Sequence, residues 1–459
     1  MKKRLIALII VVVLLLALPV SNLVVGLPNS EALAAIETDD AAFAMARDIL
    51  GAKCANCHTE DYILPFYASF PFAKGIVEAD IEMGLEYMDM PAVLATKDGA
   101  PVDEVTLAKI EYTLDQGSMP PMRYLALHWD GGLSGEEGDA LNAWIEATRV
   151  EHYAPEEATE AVKKEALHPI PNAHGQDPVK VALGDTLYND VRLSGDNTLS
   201  CASCHDLARG GTDQADVSTG IGGALGPINS PTVFNARYNL AQFWDGRAAD
   251  LREQAEGPVE NPLEMGAAFD DVIAKLNADA EFRAEFEKTF PAGFTKQTIT
   301  EAIAEFERTL ITPNSRFDQY LAGNADALHA DEQAGYDLFI DNGCAMCHVG
   351  KAMGGQSYEL MGRKGDYFAE RGGELTDADQ GRFSFTGDEA DRFSFKVPLL
   401  RNIELTFPYF HDAHAKTMEE AVDIMARLQM GVTLSEKEVG QIVAFLKTLT
   451  GELNGTPLS

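Results

Sequence analysis

The chain of 459 residues is poor in cations: 36 Lys and Arg stand against 72 Asp and Glu, a formal net charge of −36. Such a balance excludes a nucleic-acid binder, whose affinity depends on neutralising phosphates. Cysteine is scarce as well, with six in all. Segments that alternate apolar and polar residues are few, which disfavours a sandwich or barrel. Long apolar runs are limited to the first residues. The length exceeds that of one compact domain.

What cysteine there is has a pattern. All six lie in C-x-x-C-H runs: Cys54-Cys57-His58, Cys201-Cys204-His205 and Cys344-Cys347-His348. This spacing reads as covalent attachment of haem c, one group per run. Disulfides are disfavoured because His directly follows each close pair. Zinc would need further Cys or His at ligand spacing. The regular recurrence gives one haem per segment: 36–155, 156–328 and 329–459, after an export segment over 1–35.

That export segment begins with Lys2, Lys3 and Arg4 and continues into an apolar run from Leu5 to Leu27, broken by Ser21 and Asn22. The run is long enough for an uncleaved membrane anchor with its basic end inside. The alternative is cleavage after Ala32-Leu33-Ala34, which would leave a soluble periplasmic protein. Either way the expected location is outside the cytoplasmic membrane. The acidic surface suits solubility, and it would also attract a basic protein donor.

Around each haem run the pattern is helical, and the expected fold is mainly α with long loops. Asp39 to His58 reads as a helix leading into the first run. Ser134 and Glu137 form a capping box before the stripe Leu141, Trp144, Ile145. The third segment repeats the plan, with Ser435 and Glu438 as the box and Val439, Ile442, Val443 and Leu446 as the stripe. In the middle segment Ile299, Ile303, Phe306 and Leu310 share one side of a helix. Linkers are expected over 150–178 and 321–332, and a Gly-rich loop over 350–395.

The three histidines should each ligate an iron from one side. A Met opposite makes an electron-transfer centre, and an open position makes a reactive one. Met83, Met88, Met90, Met119 and Met122 are candidates at the first haem. Met418, Met425 and Met430 are candidates at the third. The middle segment offers no such Met, and its loop "STGIGGALGPINSP" has no side chain suited to iron. His168 and His174 lie upstream as possible ligands.

From about Ala182 onward the chain resembles the bacterial dihaem cytochrome c peroxidases. The resemblance rests on "RLSGDNTLSCASCHD", "GPINSPTVFNARYNLAQFWDGRAADLREQAEGPVENPLEM", "NGCAMCH" and "FKVPLLRNIELTFPYFHDA". With the N-terminal run and the extra haem segment, the whole is similar to the trihaem quinol peroxidases. This resemblance implies a peroxide-reducing haem at Cys201, Cys204 and His205, with Gln254 and Glu264 as catalytic pair and Trp244 between two haems. It implies an electron-transfer haem at Cys344, Cys347 and His348 with Met425 as axial sulfur, and Met119 as ligand in the first segment. It also implies one calcium ion on Asn229 and the backbone of Thr406 and Pro408. Hydrogen peroxide would be the substrate. Membrane quinol or a small cytochrome c would be the donor, and a homodimer is common in the family. One departure stands out: Gly223 occupies the position where many members carry a distal His. An electron-transfer protein without catalysis is the rival reading.

Overall fold

The computed structural model describes residues 16–24, 30–62, 64, 66–96, 99–173 and 175–459. Most of the expected export segment, and His174, lie outside the described residues. Contacts divide the chain into two compact units, Met1–Ala154 and Pro155–Ser459. The middle and third haem segments therefore share one unit. Residues 321–332 do not separate them: Ala327 and Leu328 are buried, and Leu328 packs in the core of the third segment.

Both units are mainly helical, as the periodicity implies. In the first, the helix Ala41–Lys53 starts at Asp40, whose carboxylate accepts from the amides of Ala42 and Phe43. It runs into the short turn Ala55–His58. The helix Gly135–His152 opens with the Ser134–Glu137 capping box and buries Leu141, Trp144 and Ile145. The two helices meet across Ala46, Leu50 and Trp144, all in one core cluster. Asn22, part of the expected export segment, is buried here and donates to the Leu127 carbonyl at 2.8 Å. Among the described residues no helix is long and apolar enough to cross a membrane.

The second unit holds two helix pairs of the same design. Pro178–Tyr188 crosses Lys296–Glu307, and Ala330–Asp341 crosses Glu436–Lys447. Each crossing has a glycine where the backbones touch. A Cβ on Gly184 would lie 1.9 Å from the Ala302 carbonyl oxygen, and one on Gly335 would lie 1.9 Å from that of Gln441. Only glycine permits this approach, and the approach lets each pair grip its haem-binding turn. The stripes are buried as expected, except that Val439 is half-buried and Leu310 lies beyond its helix, where it joins Phe306 in a neighbouring cluster.

The 350–395 stretch is more ordered than its glycine content implies. It contains the helix Tyr367–Arg371 and a two-stranded antiparallel pair, Tyr358–Leu360 with Ser394–Lys396. The register sets Tyr358 opposite Lys396 and Glu359 opposite Phe395.

Gly335→Val should cost on the order of 3 kcal/mol through overpacking at the crossing. The measure is the urea midpoint of the haem-loaded protein, and Gly440→Ala, which meets no atom within 4 Å, is the control. Equal midpoints would show that the close crossing does not hold the pair.

Candidate functional site

All three C-x-x-C-H histidines are held alike. Nδ1 of His58 lies 3.0 Å from the Met88 carbonyl, that of His205 3.3 Å from Gly211 and that of His348 3.1 Å from Met353. A carbonyl only accepts, so each Nδ1 carries the proton and each Nε2 keeps its lone pair. Burial pushes all three imidazoles below their ordinary range, His348 to about 4, and so favours the neutral form that binds metal.

The middle run opens onto a cavity of about 370 Å³. Cys201, Cys204 and His205 line one part of it, and Gln254, Glu264, Trp244 and Arg247 line another. Glu264 is half-buried, and burial raises its carboxyl above the ordinary range. The Asn261 amide donates to its Oε1 at 2.7 Å and fixes its direction. Gln254 ends the helix Leu251–Gln254, which Asp250 caps.

In the loop before Pro227, Gly222 and Gly223 have φ of +64° and +82°, and neither lines the cavity. The Ile221 amide donates to the Glu264 carbonyl at 2.7 Å, tying this loop to the segment that carries Glu264. A Cβ on Gly220 would lie 1.9 Å from the Leu263 carbonyl oxygen, so glycine is required there too. His205 is the only histidine among the lining residues, and His168 is buried elsewhere, its carbonyl accepting from Arg401. His168 thus does not line this cavity.

Sequence reasoning missed Met265 and Glu307 at this cavity. Met265 is buried in the core cluster of the segment. Glu307 is buried with Oε2 unpartnered, and burial pushes its carboxyl up to about 8. Its sequence signal, an acid at the inward end of an apolar helix stripe, was present.

The third run opens onto a second cavity, of about 240 Å³. Met418, Met425 and Met430 all line it, and so does Met361, which sequence reasoning did not single out. Met425 begins a π-helical turn, Met425–Met430, a local form frequent at functional sites. Trp244 lines both cavities. Its Nε1–H donates to the Asn229 carbonyl at 2.8 Å, and its ring meets Phe395 and His411 edge-on at 6.4 and 6.3 Å.

Asn229, Thr406 and Pro408 also line the second cavity. No hydrogen bond among the described residues goes to the Asn229 Oδ1 or to the carbonyls of Thr406 and Pro408. Three free oxygens suit a hard cation such as calcium.

In the first unit, Gly84 of the helix Pro71–Tyr87 sits against the haem-binding turn; a Cβ there would lie 2.2 Å from the Cys57 carbonyl oxygen. Met119 is 46% exposed, Met122 81% and Met83 48%, whereas Met90 is buried in the core and so acts as packing. Both ring nitrogens of buried His128 are engaged, by the Tyr67 hydroxyl at 2.6 Å and the Tyr124 carbonyl at 3.0 Å.

The chain is similar to known proteins. A family model described as di-haem cytochrome c peroxidase matches residues 178–326, and one described as haem-binding domain matches residues 11–147. Cytochrome c peroxidase Ccp of Escherichia coli strain K12 is 47% identical over 400 residues, covering 87% of this chain and 85% of that protein. Cytochrome c551 peroxidase of Nitrosomonas europaea is 48% identical over 289 residues, covering 63% of this chain and 85% of that protein. The crystal structure of a MauG-like protein associated with microbial copper homeostasis superposes with a TM-score of 0.55 at 32% identity. It covers 62% of this chain and 93% of that one.

Proposed function

The chain belongs to the di-haem cytochrome c peroxidase family and is a peroxidase; from that premise we propose that it reduces hydrogen peroxide to water with three covalently bound haems c, fed by a membrane quinol. The observation that carries the reading is the His205 cavity, with a neutral imidazole on one wall and a fixed carboxylate with an amide on another.

Cys201 and Cys204 would hold the peroxide-reducing haem by thioethers, and His205 Nε2 would ligate its iron. The haem, when bound, supplies the electrons that break the O–O bond. The protein's part is protonic. Glu264 takes a proton from the iron-side oxygen of peroxide and returns it to the far oxygen, which leaves as water. Gln254 holds the peroxide by hydrogen bonds, and Asn261 keeps the carboxylate aimed. Trp244 carries electrons between the two cavities that it lines. Cys344, Cys347 and His348 would hold the storing haem, with Met425 as axial sulfur.

Glu264 works as a base, so it must be ionised. Its raised pKa means that activity falls as pH drops through a value above the ordinary carboxylate range. Glu264→Gln should lose on the order of 10² to 10⁴ in kcat/KM together with that acid limb. Full turnover in this variant would remove Glu264 as the proton carrier.

Cys54, Cys57 and His58 would hold the third haem, with Met119 as second ligand, and calcium would sit on Asn229, Thr406 and Pro408, holding the two haem cavities in register. Metal analysis of the purified protein should return three iron atoms and one calcium ion per chain. Two iron atoms would remove the first haem, and no calcium would remove the cation site.

The first unit is proposed as the relay from quinol, with residues 1–35 anchoring the protein on the periplasmic side of the inner membrane. A chain lacking residues 1–154 should keep turnover with an artificial reductant and lose it with quinol. Undiminished quinol turnover would remove the relay role of the first unit; the alternative donor is a soluble cytochrome c docking on the acidic surface.

A further inference from the structure

Lys396 is a cation in an unusual place. It is 6% exposed, on the short strand Ser394–Lys396, and it lines the cavity that holds Cys344, Cys347 and His348. Its backbone amide donates to the Trp244 carbonyl at 2.8 Å, so it stands on the wall shared with the peroxide cavity. Among the described residues no carboxylate pairs with it. Glu359, which lines the same cavity, is engaged by Arg363 at 3.3 Å and the Ser357 hydroxyl at 3.1 Å. Asp379 is taken by Arg371 and His411. Burial alone acts on the Lys396 ammonium and pushes it down to about 8.

An unpaired ammonium inside a protein costs several kcal/mol unless an anion joins it. The chain supplies none, but the haem does. Its macrocycle is attached to Cys344 and Cys347 along the vinyl edge, and the two propionates are carried on the opposite edge. They are the anions that occupation of this cavity brings.

We propose that the Lys396 ammonium is the counter-ion of a propionate on the haem in the His348 cavity, and that it sets the reduction potential of that haem. The proposal rests on the reading of this cavity as a haem site. A positive charge in a water-poor cavity favours the electron-rich form of the group beside it. The chain thereby stabilises one electron next to Trp244, on the side from which the peroxide cavity is fed. Lys396 touches no reacting atom, so it is a positioning and tuning residue.

The test uses the haem-loaded full chain. Haem per chain is counted in the pyridine haemochrome assay, and each haem is titrated potentiometrically. In Lys396→Met the midpoint of the His348 haem should fall by about 59 mV, equivalent to a tenfold change in its one-electron equilibrium. The other haems should stay in place, the propionate bending band in resonance Raman should shift, and Lys396→Arg should retain the wild-type midpoint. An unchanged midpoint and band with the haem count intact overturns the pairing while leaving the haem site standing. A haem count lacking the Cys344–Cys347 group in wild type would instead remove the site. If Lys396→Met loses that haem, Lys396→Gln and Lys396→Arg decide: a lower midpoint in the Gln variant supports the pairing, and equal midpoints overturn it.

Discussion

The three C-x-x-C-H turns are organised by one hydrogen bond made three times. The histidine after each second cysteine gives its Nδ1 proton to a backbone carbonyl, of Met88, Gly211 or Met353. That bond selects the tautomer, fixes the ring plane and leaves Nε2 as the only nitrogen for iron. It needs the carbonyl to be held as firmly as the ring. In the second unit the Gly211 carbonyl also accepts from the Val233 amide and the Met353 carbonyl from the Leu400 amide, each at 3.2 Å.

The second dependence is the wall between the two cavities of the larger unit. Asn229 contributes twice: its carbonyl takes the Trp244 indole proton, and its amide donates to the His411 carbonyl. Trp244 in turn gives its own carbonyl to the Lys396 amide. His411 is stacked on Phe395 at 4.2 Å and bound to Asp379 at 2.8 Å. A chain of backbone bonds thus fixes an aromatic bridge, a buried cation and a candidate cation cradle relative to one another. One wall thereby serves both cavities. The loop at Gly220 adds a second coupling, because its neighbour Ile221 is bonded to the backbone of Glu264.

The parts legible in the sequence were local. C-x-x-C-H, the capping boxes at Ser134 and Ser435 and the apolar stripes depend on residues within one or two turns of each other, and the structure has them as read. Non-local matters were not legible. Nothing in the spacing of Met418, Met425 and Met430 chooses among them, because the helix Met418–Ile424 and the π-helical turn Met425–Met430 that continues it bring all three to the same cavity. Nor does the glycine content of 350–395 show that two distant triplets pair as strands and bury Lys396 between them. The apparent linker near Leu328 failed for a related reason: a polar, small-residue stretch can still donate a few apolar side chains to a core. Glu307 escaped notice because an acid in a chain with 72 of them is ordinarily a surface group.

Charge in this protein is sorted by depth. The net excess of acids counts for solubility and for encounter, since surface fields fade within about 8 to 10 Å at physiological salt. Inside, the balance is different. At the cavity lined by His205, burial pushes the Glu307 carboxyl up to about 8, so at neutral pH it is mostly uncharged. Arg401, fully buried, is matched by Asp318 at 2.8 Å and by the His168 carbonyl. Lys396, in the cavity lined by His348, has no carboxylate partner among the described residues. The acidic exterior and the buried charges therefore act separately, because water screens the one set and the cavities preserve the other.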